Sequence, residues 1–272
     1  MPENRNASCM IEVCVDSVES AVAAIRGSAD RLGVCTNLGL GGGTSPSLGL
    51  FKAIKAAVPD VPIMTMVRPR TGDFLYSQAE FDVMVEDIRV FKEFGADGVV
   101  FGILTLDGRI DIERTALLVD EAFPMQVCFH RAFDMTRDPV EALSDISTIP
   151  HITRILTSGH GPTAPSGLSV LQTLLTKASG DGAGMLTILP GSGINVSTVR
   201  SLLDTLLPCG LSEIHLSAGM WIPSKMKRKP LGMGMGVGEG EWGVWRTSEE
   251  RVSEVRSVVD LAWNDYLDLH YR

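Results

Sequence analysis

No disulfide framework and no zinc knuckle can be drawn on this sequence. Its five cysteines (Cys9, Cys14, Cys35, Cys128, Cys209) are odd in number, widely scattered, and include no CxxC pair. Free thiols in a reducing compartment follow, with the cytosol as the expected location. No apolar run approaches the roughly 20 residues of a membrane span. The opening MPENRNAS is polar and has no apolar signal core, so neither export nor a membrane is expected. Basic charge is scarce as well. Lys and Arg number 24 against 33 Asp and Glu, for a net charge of −9. Nucleic acid and anionic membranes call for the opposite balance, so neither is an expected partner. The P-loop, HExxH and GxSxG patterns are also missing, which leaves those enzyme classes without support.

What is present is regular. Short β-branched runs alternate with amphipathic helical stretches: IEVCV (11–15), RLGVC (31–35), PIMTMV (62–67), DGVVFG (97–102), MQVCFH (125–130), ITRILT (152–157), MLTILP (185–190) and SEIHLS (212–217). Helical patterns fall near 17–27, 48–58, 78–94, 111–122, 138–147, 167–178 and 195–207. A last helix fits 248–269, where Val252, Val255, Val259 and Trp263 share one face. Alternation of this kind implies parallel strands joined by right-handed crossovers. Eight units in 272 residues predict a single (β/α)8 TIM barrel, eight parallel strands with outer helices, over residues 10–272 after a polar tail at 1–9. A doubly wound open sheet is the alternative. Two glycine-rich loops, 37–47 and about 218–247, follow strands and belong to the C-terminal face. The Gly-Met alternation of the second, an insertion, has no amphipathic period and reads as poorly ordered.

Strand parity sorts side chains. Apolar Ile11, Val13 and Val15 face the helices, which leaves Glu12 and Cys14 inside the barrel. The same rule puts Gly33, Cys35, Gln126, Cys128, His130, His215 and Ser217 inside. That interior is polar for a barrel core, and buried polar groups cost free energy unless paired, so it marks a site. Cys14 and Cys35 read as level on neighbouring strands. A spacing of about 4.8 Å suits a bridged soft metal, while on spacing alone two small buried hydrophobes fit somewhat better. Arg68 and Arg70 in VRPRTGDFLYS (67–77) are candidate anion clamps or loop-shaping ion pairs. His130 and Asp134 in FHRAFD (129–134), with Glu12, are acid/base candidates. Gly191, Ser192 and Gly193, completed by Ser217, sit where barrels bind phosphate.

With these residues in place, the chain resembles the CutC family of copper-homeostasis proteins. The likeness runs through MIEVCVDSVESAVAAIRGSADRLGVC (10–35), GGTSPS (42–47), VRPRTGDFLYS (67–77), GADGVVFGILTLDGRID (95–111), FHRAFDMTRDP (129–139), ILTSG (155–159) and LPGSGI (189–194). It implies a TIM barrel, a cytoplasmic or also nuclear location, and homo-oligomers such as dimers or tetramers. It further implies Cu(I), about one per chain, on Cys14 and Cys35. Three positions depart from the family pattern: Gly33 replaces an acidic residue, Ser192 a glycine and Gly219 an arginine. Cys128 is an additional inward thiol, expected to widen a soft-metal site. Two functions stand beside a third possibility, a degenerate scaffold whose surface does the work. One is Cu(I) buffering or delivery. The other is a barrel enzyme acting on a small anionic or phosphorylated substrate at the C-terminal face.

Overall fold

The computed structural model describes residues 8–179 and 186–270. Most of the predicted tail at 1–9 and Met185 of the seventh predicted strand lie outside them. The first half runs β1 (Met10–Val15), α1 (Val18–Arg26), β2 (Arg31–Val34), α2 (Leu38–Gly41), α3 (Leu48–Ala57), β3 (Ile63–Met66), α4 (Gln78–Glu93) and β4 (Gly98–Phe101). The second half runs α5 (Ile112–Ala122), β5 (Gln126–Phe129), α6 (Pro139–Ser147), β6 (Ile152–Thr157), α7 (Leu168–Ala178), β7 (Thr187–Pro190), α8 (Val199–Leu206) and β8 (Glu213–Leu216). A hairpin of β9 (Gly219–Ile222) and β10 (Val244–Thr247) leads into α9 (Glu249–His270).

Helix starts follow local chemistry. Ser17 caps α1 by accepting from Ser20 N–H, Ser77 and Glu80 form a capping box on α4, and Asp138 precedes Pro139 at the first position of α6. The eight strands lie parallel in the order β7-β6-β5-β4-β3-β2-β1-β8, and a single parallel bridge between Gly191 and His215 brings β7 against β8. The result is a nearly closed barrel ringed by helices, and the open-sheet alternative is set aside.

Two cores result. Outward strand residues such as Ile11, Val13, Leu32 and Ile214 are fully buried against the helices. Inside the barrel, Met64, Val100, Cys128, Leu156 and Leu189 form a small apolar plug with Met66 packed against it. The 218–247 stretch, expected to lack order, is folded at both ends. β9 and β10 pair antiparallel, and Trp221 and Trp245 meet edge to face with centroids 5.2 Å apart. Aromatic contact supplies the order that the Gly-Met alternation does not.

Candidate functional site

The register of the strands decides which inward residues meet. Glu12 is level with Arg31 on β2 and with His215 on β8. The Glu12 carboxylate accepts from Arg31 Nε–H, and its Oε1 lies 2.7 Å from His215 Nδ1. Arg31 Nη2 in turn donates to Glu213 Oε2 at 2.5 Å, and Arg154 Nε reaches the same oxygen at 2.9 Å. Five charged groups, Glu12 of β1, Arg31 of β2, Arg154 of β6 and Glu213 and His215 of β8, thus close the lower barrel, each with a partner. Burial alone would raise the Glu12 carboxyl, but Arg31 and His215 outweigh it and hold the pKa at about 2. Burial works against a charged His215 too. The Cys14 sulfur beside it and the bond to Glu12 carry its pKa to about 10, so the ring is an imidazolium at neutral pH.

One step up the barrel, Cys14 is level with Gly33, not with Cys35. The expectation of a level cysteine pair is therefore corrected: Cys35 stands one inward position nearer the C-terminal mouth. Both thiols nevertheless line one cavity of about 130 Å³, with Met64, Met66 and His215 in its wall and Leu38, Gly42 and Arg131 at its mouth. Cys14 Sγ is half-buried, 3.6 Å from Leu216 O, and lies beside the His215 ring. Cys35 is buried, and burial together with the nearby Cys14 pushes its thiol well above the ordinary range. Cys128 does not reach this cavity. It packs in the apolar plug, where burial pushes its thiol up to about 12, so it does not widen the thiol site.

The other candidates separate. Asp134 accepts from Thr157 Oγ1, Ser158 N–H, Ser158 Oγ, His160 N–H and Arg131 Nε, so its carboxylate is fully engaged in holding the loop after β6. Arg70 pairs with Asp73 at 2.9 Å and Glu80 at 2.5 Å on the surface, the loop-shaping alternative. Arg68 is buried, donates to Gly43 O and Gly72 O, and lies over the Phe74 ring. His130 is buried beside Phe74 and accepts from Ala132 N–H, away from the thiols. Gly193 and Ser217 line a separate cavity of about 480 Å³ with Asn195 and Arg251, which brings together part of the proposed anion site. Ser192 instead bonds to Pro162 O in the neighbouring loop.

Sequence reasoning placed His215 inside without a role and gave Arg31 none. The signal for both was the inward Glu12, which needs a buried partner. Among the described residues, no three His, Cys, Asp or Glu side chains gather as a metal-binding group.

The CutC family profile matches residues 9–220. The chain belongs to the CutC family. The human copper homeostasis protein cutC homolog is 46% identical over 218 residues, covering 80% of this chain and 76% of that protein. A CutC family protein of Chromobacterium violaceum is 39% identical over 255 residues, covering 93% and 99%. The crystal structure of CutC from Streptococcus agalactiae superposes with a TM-score of 0.69 at 25% identity, over 77% of this chain and 98% of that one.

Within the CutC frame, two departures have structural causes. A β-carbon on Gly219 would collide with the Trp245 indole, so the arginine expected there is excluded. Arg251 from the first turn of α9 reaches the same place and donates to Gly219 O at 2.7 Å. A β-carbon on Gly33 would stand 3.6 Å from His215 Cε1 and 3.7 Å from Cys14 Cβ, ordinary contact distances. An acidic side chain would therefore enter the thiol cavity, and glycine keeps it free of a second carboxylate.

Proposed function

We propose that this chain binds Cu(I) through Cys14 and Cys35, about one ion per chain, and buffers or delivers it within the cell. The observation that carries this reading is the shared cavity. Two thiols face one small volume whose remaining wall is largely thioether and hydrocarbon, while Glu12 is already taken by Arg31 and His215. Soft sulfur donors without a free carboxylate favour Cu(I) over hard cations. Cys35 holds its proton until a metal displaces it, so binding releases protons. The test is an anaerobic Cu(I) titration against a competing chelator. The Cys14→Ser/Cys35→Ser protein is expected to lose the bound equivalent, and equal binding by both proteins overturns the assignment.

All five cysteines are free, which supports a cytoplasmic or nuclear setting. Homo-oligomerisation is carried over from the family resemblance. Light scattering on the purified protein reads it, and a monomer at micromolar concentration overturns it.

A second reading has its own observation. Glu12, His215 and Cys14 form a chain of neighbours that ends at the cavity, the first two hydrogen-bonded, with the Arg131 guanidinium at the mouth. An enzyme acting on a small anionic substrate would use such a chain to manage a proton and Arg131 to hold the anion. A thermal-shift screen of small phosphorylated and carboxylated compounds tests it. A stabilising compound is expected to lose its effect in Arg131→Ala, and no stabilisation by any compound counts against this reading.

A further inference from the structure

We infer that Met66 supplies a third sulfur donor to the Cys14–Cys35 site and sets its preference for Cu(I) over Zn(II). The inference rests on the copper reading of that cysteine pair and concerns what completes the site.

The β2–β3 register pairs Gly33 with Met64 and Val34 with Thr65. The next residues in that register are Cys35 and Met66, both inward by parity. Neighbouring strands lie about 4.8 Å apart, so the residue beside Cys35 at its own level is Met66, while Cys14 sits one step lower. Side-chain positions agree. A β-carbon built on Gly43, whose φ is +88°, would stand 3.4 Å from both Cys35 Sγ and Met66 Cε. The two side-chain ends are therefore at most twice that distance apart across the cavity. Met64 differs. Its sulfur is packed against Gly98, where a β-carbon would collide with it.

The chemistry narrows the donor further. A thioether is uncharged and soft, a good ligand for Cu(I) and a poor one for Zn(II), which prefers thiolate, imidazole and carboxylate. Of the carboxylate and imidazole groups lining the cavity, Glu12 is held by Arg31 and by His215 Nδ1, so neither that carboxylate nor that ring nitrogen is open to a metal. Gly33 contributes no side chain. Two cysteines and Met66 are thus the sulfur set that a metal in this cavity meets, a three-coordinate arrangement suited to a monovalent soft ion.

Met66→Leu keeps the volume and removes the sulfur. Anaerobic competition titrations with Cu(I) and, separately, Zn(II) are run on the full-length wild type and on Met66→Leu, together with copper K-edge absorption on both loaded proteins. The expected result is one Cu(I) per chain bound about tenfold or more weakly by Met66→Leu, unchanged Zn(II) affinity, and a third sulfur present in the wild-type spectrum only. Equal Cu(I) affinity, equal loss of Cu(I) and Zn(II) affinity, or the same sulfur count in both spectra each overturns the role of Met66. Failure of the cysteine assignment shows separately, as unchanged Cu(I) binding in Cys14→Ser/Cys35→Ser.

Discussion

His130 shows how an inward position need not be a catalytic one. Its ring accepts from Ala132 N–H and is enclosed by Phe74, Phe129 and Gly102, and burial together with the Arg68 charge lowers its pKa to about 3. The unfolded chain takes that proton near 6.5, so the unfolded state binds more protons between the two values. Stability from this group is complete above pH 6.5 and falls by up to about 1.4 kcal/mol per pH unit below it, down to about 3. His130→Phe is expected to cost about 1 kcal/mol at pH 7 for the lost acceptor. It should also flatten the decline of stability between pH 6 and 4. Urea unfolding at each pH measures both, and an unchanged slope refutes the buried neutral state. At this scale the sequence was informative about direction and poor about neighbours. Parity alone sent Glu12, Cys14, Cys35 and Cys128 inward. Which of them meet depends on the stagger between strands, set by contacts far apart in the chain. That is why Cys14 and Cys35 read as level and Cys128 as part of their site.

Elements were more legible than contacts, because period and caps are local. The β9–β10 hairpin is the exception. Its glycines and methionines carry no period, and its order comes from Trp221 and Trp245 on either side of that stretch. Trp221 also packs on Gly39 of α2, where a β-carbon would stand 2.6 Å from the indole. Just beside it, Leu38 and Gly42 form part of the mouth of the thiol cavity. The hairpin therefore braces the segment that separates the cysteines from solvent. Trp221→Ala is expected to leave the barrel folded while raising amide exchange across residues 36–44 by about tenfold. Chelator-driven loss of Cu(I) should accelerate in parallel, as followed by stopped-flow transfer to a coloured acceptor. Exchange and release rates equal to the wild type would show that the hairpin does not govern access.

Across the whole molecule, the barrel is closed by charge as much as by ladder hydrogen bonds. Seven of the eight strand contacts are ladders, one of them (β5–β6) with a register shift at Val127/Cys128, but β7 meets β8 only through the Gly191–His215 bridge. Below that seam, Arg31 of β2 joins Glu12 of β1 to Glu213 of β8, and Arg154 of β6 reaches Glu213 from the far side of β7. This network spans the seam from within. Such a set has little net advantage over an apolar plug, but removing one member strands the others in a low dielectric. Arg31→Met leaves Glu12 and Glu213 sharing only His215 and Arg154. It is expected to destabilise the fold by about 3–5 kcal/mol at pH 7. The sign with pH is fixed by the same carboxylates. In the native protein Glu12 contributes stability above about 4.5 and loses it as pH falls toward 2. Without Arg31 its carboxyl rises, the folded state takes up a proton earlier, and the deficit relative to wild type shrinks as pH drops from 7 to 5. Parallel urea titrations of the two proteins at pH 7, 6 and 5 measure this convergence. A deficit that stays constant over that range would mean the network closes the barrel by packing rather than by charge.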